Sequence, residues 1–184
     1  MRHSPLGTVA RAIAAFVLVA AAAHPASAQA KASGGFGVGY TDIGAVVGLG
    51  GIGSASASFG ARAEHSIKTL PDLNNGVLGI EAGFDYYSWS NTFYSYKYIP
   101  FGVTANYHFK LDEPKIDPFI GLGLGYRIIT CDFSGSGGTN LCDNSAIYFI
   151  GRAGMRYFFQ QNMAAYIDAG AGAATFNVGL TFKM

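Results

Sequence analysis

The residues with the most chemical potential in this 184-residue chain are four histidines, two cysteines and one run of alternating glycines. His65 stands next to Ser66, the pairing from which a hydrolytic nucleophile could be built. His65, however, falls on the apolar phase of its segment, and no acid and nucleophile are arranged around it as a triad requires. His108 lies on a polar phase close to a turn, where it reads as a hydrogen-bonded interior histidine. Gly121-Leu122-Gly123-Leu124-Gly125 has the glycine content of a phosphate loop, but its glycines alternate with leucines and no helix follows, so the dinucleotide reading fails. Cys131 and Cys142 bracket the stretch CDFSGSGGTNLCDN. A metal pair there would need a histidine or a third cysteine, and none is near. The sequence thus points to no catalytic, cofactor-binding or metal residue and to no cofactor.

The elements that carry these residues begin after a leader. Arg2 and Arg11 precede the apolar run Ile13 to Ala23, and Ala26-Ser27-Ala28 gives a small-residue cleavage site before Gln29. The run is shorter than the roughly 20 residues a membrane-crossing helix needs. Residues 1–28 are therefore expected to be a cleaved signal peptide of the general secretory (Sec) type, and residues 29–184 the mature domain. In an exported chain, two cysteines read as a disulfide, Cys131 to Cys142.

Composition narrows the class. Charged residues make up 12% of the chain, about half the roughly 25% of an ordinary soluble domain. Twelve basic residues against eleven acidic leave no surplus for nucleic acid, and 14 Phe with 11 Tyr exclude a disordered chain. From Ile99 onward the pattern is strictly period two: Ile99, Phe101, Val103, Ala105, Tyr107, Phe109 and Leu111 alternate with Pro100, Gly102, Thr104, Asn106, His108 and Lys110. Extending that reading predicts eight strands, at 35–49, 54–68, 77–90, 95–111, 117–130, 145–159, 163–172 and 175–184. The first changes phase between Tyr40 and Ile43, which a bulge or break near Asp42 would reconcile.

Charges within strands fall on the face opposite the apolar one: Arg62, Glu64, Lys68, Glu81, Asp85, Lys110, Arg127, Arg152, Arg156, Asp168 and Lys183. So few charges, interleaved with glycine, could not coat a soluble barrel, but they suit a narrow polar lumen whose outside meets lipid. Arg62, Arg127, Arg152 and Arg156 balance Glu64, Glu81, Asp85 and Asp168, as enclosure requires. The expected fold is all-β, an eight-stranded antiparallel up-and-down transmembrane β-barrel, its interior filled by side chains and not open as a pore.

The octapeptide Asn177-Val178-Gly179-Leu180-Thr181-Phe182-Lys183-Met184 has the spacing of a C-terminal assembly signal, carried by Asn177, Gly179, Phe182 and Met184. With YIPFGVTANYHF (98–109) and DPFIGLGLGYR (117–127), the mature chain resembles the porin-like family of small outer-membrane barrels of the OmpA transmembrane-domain, OmpX and opacity-protein type. Met184 departs from the more usual terminal Phe. The resemblance implies a bacterial outer-membrane location, insertion by the barrel assembly machinery with periplasmic chaperones, outer-membrane lipid as the surrounding partner, and a monomer. It also implies periplasmic termini, short periplasmic turns and longer outer loops, so that 131–144 lies outside. Tyr86, Tyr87, Trp89, Phe93, Tyr94, Tyr96 and Tyr98 would then form an aromatic girdle at the outer interface.

Small barrels of this resemblance include lipid-modifying enzymes, but both His65 and His108 fall near the periplasmic end, away from the outer leaflet. No appended periplasmic domain is expected after Met184. A structural or surface-interaction role through the outer loops, with an unknown surface ligand, is the leading expectation. A transport barrel for small solutes or apolar molecules, like the OmpW type, is the alternative.

Overall fold

The computed structural model describes residues 36–133 and 145–184. Eight strands follow one another: β1 (Thr41–Leu49), β2 (Ser58–Leu70), β3 (Gly76–Ser90), β4 (Tyr94–His108), β5 (Ile116–Phe133), β6 (Ala146–Gln160), β7 (Met163–Ala171) and β8 (Phe176–Lys183). Each pairs antiparallel with its sequence neighbour, and β8 pairs back onto β1 with Ile43 opposite Phe182, closing the barrel. The expected transition from alternating sequence to closed meander is met, because only closure satisfies both edges of such a sheet.

The first strand is shorter than its sequence suggests. Residues 37–40 turn back, with the Tyr40 amide donating to the Gly37 carbonyl at 3.0 Å, and pairing starts at Thr41. No bulge near Asp42 is needed, because the phase change falls in this turn. Register shifts occur elsewhere, between Ser66 and Lys68 and between Phe158 and Gln160. The first overturns one inward assignment: Ser66 pairs with inward Gly79, but Lys68 pairs with Leu78 and is exposed.

The outer wall carries exposed Phe84, Phe101, Val103, Leu122, Leu124, Ile147 and Phe149, an apolar belt around a polar interior. Inward glycines make room for that interior. A Cβ on Gly79 would sit 2.4 Å from Glu64 Oε1, and one on Gly121 would sit 2.2 Å from Asn106 Oδ1. Above the belt, β3, β4 and β5 outrun their neighbours: Tyr86 is the last β3 residue paired to β2, and Arg127 the last β5 residue paired to β6.

On this extension the polarity inverts. Ser88, Lys97, Thr130 and Asp132 continue the outward phase, and Lys97 pairs with Asp132 at 3.6 Å. Tyr87, Trp89, Tyr94, Tyr96, Tyr98 and Phe133 continue the phase that lower down faces the lumen. Tyr87 stacks on Tyr98 and Trp89 on Tyr96, each at 4.7 Å between centroids. The expected outer girdle is thereby corrected: of the seven aromatics, only Tyr86 and Phe93 lie off this inner ladder, and both are exposed.

Candidate functional site

Period-two alternation on closed strands delivers every inward polar side chain to one enclosed column, where they stack in two layers. The layer nearer the short turns centres on Arg156, which is 1% exposed. Its Nε lies 3.2 Å from Asp42 Oδ2, its Nη1 3.2 Å from Asp117 Oδ2, and its Nη2 donates to Glu64 Oε2. His108 bridges two of these acids, with Nε2 2.9 Å from Glu64 Oε1 and Nδ1 2.9 Å from Asp117 Oδ1. Asn106 donates to Glu64 Oε1 at 2.9 Å.

The second layer is built on two further arginines. Arg62 Nη2 reaches both oxygens of Asp85, at 2.9 and 3.1 Å, and its Nε stands 3.7 Å from Glu81. Arg152 Nη2 donates to Glu81 Oε1 at 2.5 Å and to Thr104 Oγ1 at 2.7 Å, while its Nη1 lies 3.5 Å from Asp168. Asn177 and Tyr166 both donate to Asp168. The space left among Arg62, Glu81, Asp85, Arg152, Asp168 and Asn177 is about 40 Å³, room for only a few waters.

Seven of the eight charges expected in the lumen thus form one column. Arg127 does not join by ion pairing: its guanidinium lies 5.3 Å from the Tyr148 ring centroid, and among the described residues it has no carboxylate partner. Sequence reasoning missed Asp42 and Asp117, both buried, by assigning them to a phase break and a turn. Their parity was the available signal, since Asp117 shares phase with Phe119 and Gly121, and Asp42 sits opposite Glu64 in register. The interior set is therefore not the balanced four and four expected. Six carboxylates face four arginines, and His108 and Lys183 are the remaining cationic candidates on the inward phase. Just outside β1, burial, and after it the Asp42 charge, pushes the Tyr40 phenol above its ordinary range.

The candidate chemistry of the histidines resolves geometrically. His65 is exposed with its Nδ1 2.6 Å from Thr41 Oγ1, while Ser66 points inward and donates to the Gly37 carbonyl, so the adjacent pair lies on opposite faces. Both His108 nitrogens are engaged by carboxylates, leaving neither to activate a hydroxyl. Of the terminal motif, Asn177 is buried in the second layer and Gly179 faces inward where a Cβ would meet the Ala45 carbonyl at 2.1 Å. Phe182 lies on the outward phase, and Met184 is exposed. Cys131 occupies the inward phase beside Tyr96, whereas Cys142, the rest of the 134–144 loop and the leader fall outside the described residues.

The family model of the outer membrane protein beta-barrel domain matches residues 12–182. No curated protein sequence matches the chain. Among solved structures, the outer membrane protein OprG from Pseudomonas aeruginosa is similar with a TM-score of 0.55 at 11% identity, over 82% of this chain and 98% of that one. Neisserial surface protein A is similar with a TM-score of 0.52 at 17% identity, over 79% and 97%. The outer membrane enzyme PagL gives 0.45 at 21% identity, over 78% and 98%. At such identities the likeness is one of fold.

Proposed function

The chain belongs to the outer membrane protein β-barrel domain family, and from that premise we propose that it is an integral outer-membrane barrel with an ion-paired, filled lumen, acting as a structural or surface-interaction protein through its outer end. The observation that carries this reading is the two-layer column, in which Arg62, Arg152 and Arg156 are held by carboxylates drawn from five strands, β1, β2, β3, β5 and β7. Eight strands enclose little beyond their own side chains, and here those side chains are tied together across the lumen. The protein reaches the membrane after export and cleavage at Ala28–Gln29, is inserted by the assembly machinery, and stands there as a monomer in outer-membrane lipid, with Cys131 and Cys142 joined in its loop. It performs no hydrolysis of lipid or peptide.

Planar-bilayer recording tests the central point. The expected result is no steady single-channel step. Reproducible unitary conductance from the purified protein would overturn the filled-lumen reading and favour transport.

A further inference from the structure

The mouth at the short-turn end is closed by residues 36–40 and by what lies under them. Phe36 stacks on the His108 ring, with centroids 3.6 Å apart and planes 15° from parallel, and the Arg156 guanidinium lies 5.2 Å from the Phe36 centroid. Ser66 pins the backbone of the same segment from both sides: its hydroxyl donates to the Gly37 carbonyl at 2.6 Å and accepts from the Tyr40 amide at 2.8 Å. Tyr40 packs edge-on against Phe158, and the Tyr40 hydroxyl donates to Asp42. A vestibule of about 600 Å³, lined by Phe36, Tyr40, Val77, His108, Lys110 and Asp117 among others, opens beside this segment.

We infer that residues 36–40 are a cap latched by a proton on His108, so that the barrel mouth loosens when that proton leaves. A neutral imidazole has one N–H. With carboxylate oxygens 2.9 Å from each ring nitrogen, a neutral ring would aim a lone pair at one of them, so the arrangement calls for a proton on both. The groups around the ring come from six of the eight strands. Glu64 comes from β2, Asp117 from β5 and Arg156 from β6. Asp42 of β1 is reached through Arg156, Asn106 is its neighbour on β4, and Lys183 of β8 lies 5.1 Å from the Tyr40 ring of the cap.

Three carboxylates thus share one guanidinium, and the imidazolium supplies the second positive charge among them. Its face also attracts the Phe36 ring as a cation attracts an aromatic. Loss of the proton weakens both effects together. Asp42, Glu64 and Asp117 are left crowded around Arg156, and Phe36 is left against a neutral ring, so the cap is the element with least remaining hold. The latch sits at the short-turn end alone and is independent of what the outer end binds.

The test is nitrogen NMR of the folded protein in lipid nanodiscs with 15N-labelled histidine, the His108 signals being identified by their persistence when His3, His24 and His65 are all replaced by Gln. At pH 7 both His108 ring nitrogens are expected in the protonated range. As the pH is raised and one proton leaves, the Tyr40 amide should lose protection from hydrogen exchange, corrected for the intrinsic rate, by about tenfold or more. The Val103 and Leu124 amides should keep theirs. His108→Gln should show the same loss already at pH 7. A neutral His108 tautomer at pH 7, or deprotonation that leaves Tyr40 protection unchanged, would overturn the latch. If His108→Gln does not fold, the wild-type titration decides the matter alone.

Discussion

Arg156 and Glu64 are hydrogen-bonded although they are 92 residues apart and stand on β6 and β2, which face each other across the diameter of the eight-strand ring. The contact bridges the lumen and does not run along the wall, so it ties opposite walls while blocking the space between them. Arg156→Leu should leave Asp42, Glu64 and Asp117 buried around no guanidinium, destabilising the barrel by about 3–5 kcal/mol. Urea unfolding from lipid vesicles measures it. A change no larger than that of an exposed substitution such as Lys68→Leu would mean the column is hydrated and adds little.

The glycines opposite these charges should be as sensitive as the charges. Gly121→Val would place a Cβ 2.2 Å from Asn106 Oδ1, against a side chain that is fully buried and held beside Glu64. Overpacking of this kind costs about 1–3 kcal/mol. Leu122→Val, one residue away on the exposed face, should change stability by much less. Equal effects in the same unfolding assay would refute the close-packed interior.

Most strand positions were legible in the sequence because period two survives without a phase error through 99–108 of β4 and 118–128 of β5, where apolar outward residues alternate with inward residues such as Gly, Thr, Asn and His. The beginning of β1 was not, because a turn at 37–40 and a bulge at Asp42 shift the phase equally well, and it takes the Tyr40–Gly37 hydrogen bond and the unbroken pairing from Thr41 to distinguish them. The charge column was legible as a set of inward residues but not as a network. Which acid meets which arginine depends on barrel diameter and stagger, and neither is written in a single strand. The aromatic cluster was misplaced for a simpler reason. Composition suggested a girdle, but the parity of Tyr94, Tyr96 and Tyr98 is that of Thr104 and Asn106, which places them on the lumen-side phase.

The loop cysteines should be joined to each other. Cys131 lies on β5 next to the strand end from which the loop departs, and a bond to Cys142 would close a loop of the size for which the chain-entropy model gives about 3 kcal/mol. Non-reducing peptide mapping of protein taken from the cell envelope should recover the two peptides as one linked species. Free thiols at both positions would show that the loop is held otherwise.

The polarity inversion on the β3–β4–β5 extension makes a last prediction through Trp89, the single tryptophan of the chain. A girdle tryptophan would face acyl chains, and lipids brominated along their tails would quench it. Trp89 instead stacks on Tyr96 on the inner phase of the extension, level with Ser88 and Lys97, whose outward side chains are polar. In vesicles of brominated lipid its fluorescence should therefore be nearly unchanged, while aqueous acrylamide should reduce it. Moving the probe into the belt, as Trp89→Phe combined with Phe84→Trp, should reverse both responses, because Phe84 is exposed on the apolar wall. Strong quenching of Trp89 itself by brominated tails would put the extension within the bilayer and return the aromatic cluster to a girdle role.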